Sequence, residues 1–302
     1  MYRCAIRHAR NTAGRSGAAR WRYAPPVLHD PRGDRTGTWK RRGEALAYTV
    51  ASRDPREAAA ERRTYALRLA YDGAAFRGWQ RLPGHPTVQQ AVEDALAALL
   101  AERVRLHAAA RTDAGVHAEG QVASFAVRRA LSPPELLALP LSRDVRITAA
   151  APARPSFHAR ASAAGKRYRY RFADGSPTAW DLGAGRPDWD RARAALQGLR
   201  EVPHLSGLAS PSPAEKAAPP LDQWSLLVET ASADLVVQAR AFRKHEVRNL
   251  AGQLVAIALG LAAPESLARL ACGKRPWRGT TAPAQGLTLL EVLYPPDLDP
   301  FR

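Results

Sequence analysis

The chain has 302 residues, 46% of them hydrophobic, with 45 Lys plus Arg against 28 Asp plus Glu and a formal charge of +17. That is enough for one large domain or two modest ones, and the basic excess favours a polyanionic partner, nucleic acid ahead of an acidic membrane surface. Cys4 and Cys272 are the only cysteines, which excludes a disulfide framework and fits a reducing compartment; no run of 18 apolar residues could span a membrane and no secretory leader is evident.

Residues 1–63 differ from the rest. The first 29 hold six arginines and no acid, and residues 1–64 carry 15 basic and 6 acidic side chains, so that the remaining 238 have a net charge of +8. The region is expected to be a basic extension without order and without a catalytic role. A transit peptide into an organelle and a start site set too early are the alternatives. Against the transit peptide, Ser16 is the only serine in those 29 residues.

From Thr64 the pattern becomes periodic. Tyr65, Leu67, Leu69 and Tyr71 alternate as in a strand that Asp72-Gly73 ends. Thr87, with Gln90 three residues on, opens a helix whose apolar stripe is Val88, Ala91, Val92, Ala95, Leu96 and Leu99. Strands are expected over 104–109, 121–127 and 145–149, with a short helix opened by Pro133-Pro134. A second unit follows: a strand over 166–172, a helix over 189–199, a strand pair at 223–230 and 235–242, a helix over 244–261 and a last strand over 287–293. Residues 210–220, with four prolines, read as a loop. Strands and helices mix in both units, so the class is α+β, divided as 1–63, 64–162 and 163–302.

Chemistry concentrates in Arg111-Thr112-Asp113-Ala114-Gly115-Val116-His117, on the loop between two expected strands. A carboxylate beside a cation is favoured in its charged form, as a nucleophile or general base requires, although an ordinary ion pair looks the same in sequence. No second His or Cys lies at ligand spacing from His117, so no metal is expected. In the strand over 166–172, Tyr168, Tyr170 and Phe172 face one way and Arg167, Arg169 and Arg171 the other. Between Arg154 and Phe172 there are six basic residues, Arg160 and Arg167 among them, and no acid, which suits phosphate contacts. Arg248 lies beside the apolar stripe of its helix and is costly there unless paired.

Together with Tyr71-Asp72-Gly73, Gly78-Trp79-Gln80, Ser156-Phe157-His158-Ala159-Arg160, Val247-Arg248-Asn249 and Gly286-Leu287, the Asp113 block closely resembles the tRNA pseudouridine synthase A family, from about Thr64 to about Pro295. The resemblance implies a pseudouridine synthase fold: two similar α/β halves, a joined, mainly antiparallel mixed sheet and a central basic cleft. It also implies isomerisation of uridines 38–40 in the anticodon arm of tRNA, no cofactor, a homodimer and the cytoplasm.

By the same resemblance Asp113 is the essential carboxylate, Arg248 its partner, and Arg111 a holder of the flipped nucleotide. Tyr168 is the aromatic on the uracil, and Leu287 and Leu289 line its pocket. Whether Asp113 attacks the ribose, attacks the base or removes a ribose proton stays open. Arg243, Lys244 and Glu246 depart from the family pattern, as do 136–144 and 210–220. These departures keep another RNA target on the same fold in view; against the other alternative, a tRNA-binding module without turnover, stands the intact set of Arg111, Asp113, Tyr168 and Arg248.

Overall fold

The computed structural model describes residues 62–173, 176–183, 185–211, 221–229, 232–273 and 277–302, and within 1–61 the strands β1 (Arg22–Tyr23), β2 (Leu28–His29), β3 (Arg35–Arg41) and β4 (Glu44–Val50). The chain divides into two compact units, Met1–Glu61 and Arg62–Arg302. In the first, where an extension without order is expected, the four strands pair antiparallel around β3. Most of the Arg-rich first 29 residues lies outside the described residues.

The second unit is built on one eight-stranded sheet. Its strands are β5 (Arg63–Tyr71), β6 (His107–Ala108), β7 (His117–Val127), β8 (Val145–Ala153), β9 (Gly165–Ala173), β10 (Gln223–Val228), β11 (Ser232–Ala239) and β12 (Leu287–Leu293). They run in the order β10-β11-β9-β12-β7-β5-β8, with β6 beside β7. All pairs are antiparallel except β12 with β7, where the last strand of the chain meets a strand of the 64–162 half. This makes a mixed, mainly antiparallel sheet that crosses the expected boundary, the α+β fold of a pseudouridine synthase.

The helices are α1 (Val88–Leu100), α2 (Pro133–Leu137), α3 (Trp189–Gln197), α4 (Glu246–Ala258) and α5 (Ser266–Ala271). Thr87 caps α1 by accepting from Gln90 N, and Ser132 with Glu135 forms a full capping box on α2. α4 packs over β9 and beside α3, with Leu250, Ala251, Leu254 and Ile257 fully buried. No described helix is long and apolar enough to cross a membrane.

Several elements differ from the periodicity: the strand expected over 235–242 lies three residues earlier, at Ser232–Ala239, and the one expected over 121–127 begins at His117. The strand expected over 104–109 shrinks to two residues, because Leu106 N donates to Glu93 Oε1 at 2.9 Å and so spends its backbone donor on a helix side chain. The helix expected from Lys244 starts at Glu246, because His245 is left-handed at φ 60° and breaks the helical path. The short helix α5 has no counterpart among the expected elements. The loop over 210–220 falls mostly outside the described residues.

Candidate active site

Asp113 stands in the loop between β6 and β7, and the Tyr71–Trp79 block holds that loop. Gly73 lies so close to Val116 that a Cβ there would come within 2.2 Å of the Val116 carbonyl oxygen. Trp79 N donates to Thr112 O at 3.0 Å. The hydroxyls of Tyr71 and Thr112 share a 2.8 Å hydrogen bond, and Gln121 Nε2 donates to the same phenol oxygen at 3.3 Å. Burial pushes the Tyr71 phenol up to about 12, so it stays protonated and keeps its donor. The loop turns through a Val116 N to Asp113 O bond of 3.2 Å, with Gly115 at φ +82°, a conformation that disfavours a side chain. The two blocks, separate in sequence, are one clamp around the carboxylate.

The N-terminal end of α4 forms the facing wall. Arg248 Nη1 lies 3.4 Å from Asp113 Oδ2, while its Nε donates to Ala282 O at 2.7 Å and its backbone oxygen accepts from Ala282 N at 3.1 Å. The guanidinium is therefore aimed by the loop before β12. The cation on the apolar stripe of α4 has a partner 135 residues away in sequence.

His245 Nε2 also lies 3.4 Å from Asp113 Oδ2, and its Nδ1 is 3.0 Å from Ser210 Oγ. Burial lowers the imidazole's affinity for a proton; Asp113 opposes this, and Arg248 and Lys244 add to it. A non-glycine residue held left-handed beside the key carboxylate is the kind of local strain that active sites retain. Sequence reading passed over His245, although three residues separate it from Arg248 and that spacing puts both on one side of a helix start.

Between the walls is a cavity of about 530 Å³. Asp113, Arg111, Arg160, Tyr168, Arg248 and Leu287 all line it, so six of the eight site residues read from the sequence converge. Tyr168 is buried edge-on to Phe242, ring centroids 5.2 Å apart, and burial first, then Tyr71 and Asp113, holds its phenol well above the usual tyrosine range. Leu289 is not in the lining: it is fully buried, paired with Tyr168 across β9 and β12, and supports the ring from the core.

Arg167 lies on the other face of β9, where it donates to Gln238 Oε1 at 2.8 Å and to Glu291 Oε2 at 3.2 Å. The structure instead brings Lys166 to the cavity. Its Nζ donates to Arg240 O at 3.4 Å, and burial, with Arg160 nearby, pushes its pKa down. The alternation of β9 requires this swap, since Lys166 shares a face with Tyr168.

This arrangement can present one carboxylate oxygen to a reacting atom, hold it between two nitrogen groups, stack a planar base on a protonated phenol ring and meet phosphates with unpaired arginines. A family model described as tRNA pseudouridine synthase matches residues 212–295. Over 246 residues the chain is 35% identical to the tRNA pseudouridine synthase A of Geobacter sp. (strain M21), covering 77% of this chain and 99% of the relative. It belongs to the tRNA pseudouridine synthase A family. To the Myxococcus xanthus protein of the same name it is 38% identical over 243 residues, covering 76% of this chain and 91% of that one. Members of the family are isomerases that convert uridine to pseudouridine.

Proposed function

We propose that this enzyme isomerises uridines at positions 38–40 in the anticodon arm of tRNA, with Asp113 as the essential carboxylate. The observation that carries the reading is Asp113 Oδ2 facing Arg248 Nη1 at 3.4 Å in a basic cavity floored by Tyr168. The reaction breaks the N1–C1′ bond, turns the uracil and joins C5 to C1′. It is redox-neutral and draws on no external energy. The uridine must leave its stack to enter the cavity, and Arg111 and Arg160 hold the flanking backbone.

Asp113 either attacks ribose or base, or takes a ribose proton, and Arg248 keeps it aimed. The Tyr168 ring stacks on the uracil. Its phenol, held protonated by burial, is not a base as it stands, so the C5 proton passes to water rather than to Tyr168. The last step hands the C5 proton to solvent and restores the aromatic base.

A second copy of the chain belongs to this proposal, because the family resemblance carries a homodimer in which one tRNA contacts both subunits. The cytoplasm goes with it as the compartment of the substrate. Residues 1–63 are proposed to stay outside catalysis. The deciding experiment maps pseudouridine in tRNA from cells with and without the protein. Loss at 38–40 is expected; loss at another RNA site, with 38–40 intact, moves the enzyme to a different substrate.

A further inference from the structure

A second cavity opens beside the first. It measures about 170 Å³ and shares Arg111 and Arg160 with the Asp113 cavity; Arg105, His107 and His158 complete its charged lining, with Trp79 forming part of the wall. No acid lines it. Among the described residues Arg105, Arg111 and Arg160 form no ion pair. The nearby carboxylate of Glu93 is already used: Oε1 accepts from Leu106 N and Gln89 Nε2, and Oε2 from Arg81 Nε, at 2.8–2.9 Å.

One of the two imidazoles is fixed for donation. Their rings are 5.0 Å apart. His158 Nδ1 accepts from the backbone N–H groups of Arg160 at 3.1 Å and Ala161 at 3.3 Å. That nitrogen carries no proton, so the neutral ring bears its N–H on Nε2. Burial pushes His107 down, and His158 and Arg105 push it further, against Glu93. Arg160 is pushed down by burial and by Arg111. The lining therefore gathers guanidiniums whose mutual repulsion an anion among them would offset.

We propose that His158, His107 and Arg105 form a phosphate subsite that takes an RNA backbone phosphodiester next to the nucleotide held by Arg111 and Arg160. The inference rests on the RNA reading above and extends it to residues outside the Asp113 cavity. Backbone phosphates supply much of nucleic-acid affinity, and a fixed N–H donor beside unpaired guanidiniums matches their geometry.

The test measures the Kd of the full-length protein for an unmodified tRNA transcript at several KCl concentrations. His158→Asn puts an amide oxygen where Nδ1 accepts and removes the distal N–H. His158→Gln keeps a distal N–H and loses the acceptor. Loss of one charged contact should raise Kd about fivefold, the scale of one exposed charge contact, and lower the log–log salt slope by about 0.7. Both changes are expected for Arg105→Gln; His158→Asn, which removes an uncharged donor, should raise Kd and leave the slope alone, with His158→Gln closer to wild type in Kd. Wild-type Kd in both His158→Asn and Arg105→Gln, with a wild-type slope in the latter, or greater damage from His158→Gln, overturn the subsite. Should His158→Asn fail to fold by circular dichroism, Arg105→Gln decides alone. A wild-type protein whose tRNA binding ignores salt would instead sink the RNA reading itself.

Discussion

The two faces of β9 carry the same kind of charge under different rules. On the face away from Asp113 the arginines are matched: Arg167 with Glu291 at 3.2 Å, Arg169 with Glu119 at 2.9 Å, and Arg171 with Asp234 through both carboxylate oxygens. On the cleft side Arg111 and Arg160 stand side by side and, among the described residues, pair with no carboxylate, while Lys166 donates to a carbonyl. Composition counts all six alike. Only the paired set serves the fold, and only the unpaired set has its charge available for a ligand. A net charge of +17 therefore overstates the nucleic-acid surface and says nothing about where it lies.

The strongest test of this division is chemical. Asp113 is the one carboxylate on the cleft side placed between two nitrogen groups at 3.4 Å. Asp113→Asn keeps its size and removes its charge. Turnover, read as tritium release from C5-labelled uridine in tRNA, should fall by roughly a thousandfold or more, about 4 kcal/mol of barrier. tRNA affinity should change little. Arg248→Ala should lower turnover as well, and the double variant should be little worse than Asp113→Asn alone, because the pair acts as a unit. Full additivity, or an active Asp113→Asn enzyme, would show that this pair is not the catalytic unit.

A smaller effect separates the two sets of arginines. Arg160→Gln should lower the salt slope of tRNA binding by about 0.7, as one released single-strand phosphate contact does. Arg171→Gln should leave that slope alone and lower Tm slightly, since it strips Asp234 of a partly exposed partner. Equal slopes for the two variants would erase the distinction between the faces.

A separate effect, on stability rather than turnover, comes from an acid without such a partner. Glu246, at the start of α4, is buried; its Oε2 accepts from Arg243 N at 2.6 Å and its Oε1 has no partner. Burial pushes its pKa from 4.5 up to about 8, against the opposing pull of the Arg243 N–H and charge. Because the folded value lies above the ordinary one, this group's contribution to stability is complete below pH 4.5 and is lost as pH climbs through 8. Glu246→Gln keeps the hydrogen bond without the charge. It should match wild type in Tm near pH 5 and exceed it near pH 9, at about 2–4 °C per kcal/mol. Parallel Tm curves across that range would show that Glu246 is not buried as described.

Much of this was legible in the residues. Period-two alternation over Tyr65–Tyr71 and Lys166–Phe172 and the Thr87 cap predict elements that form with nearly the expected bounds, because those signals are local: a strand has two faces and a helix end needs a capping group. The Asp113 block was legible for the same reason, since a loop motif carries its own turn chemistry in Gly115. Where backbone donors go was not local. The strand over 104–109 is cut short by a carboxylate on α1, and the helix over 244–261 loses its first residues to a left-handed His245.

The sequence by itself determined the class of fold, the loop that carries Asp113 and the face of β9 on which the aromatics stand. Periodicity and short-range motifs are properties of neighbouring residues. Tertiary structure alone decided that His245 joins Asp113 and Arg248 and that, among the described residues, Arg167 has an ion-pair partner while Arg160 has none. Each depends on which side chain another segment brings within a few ångströms, and electrostatic partnership falls off over that distance whatever the spacing along the chain.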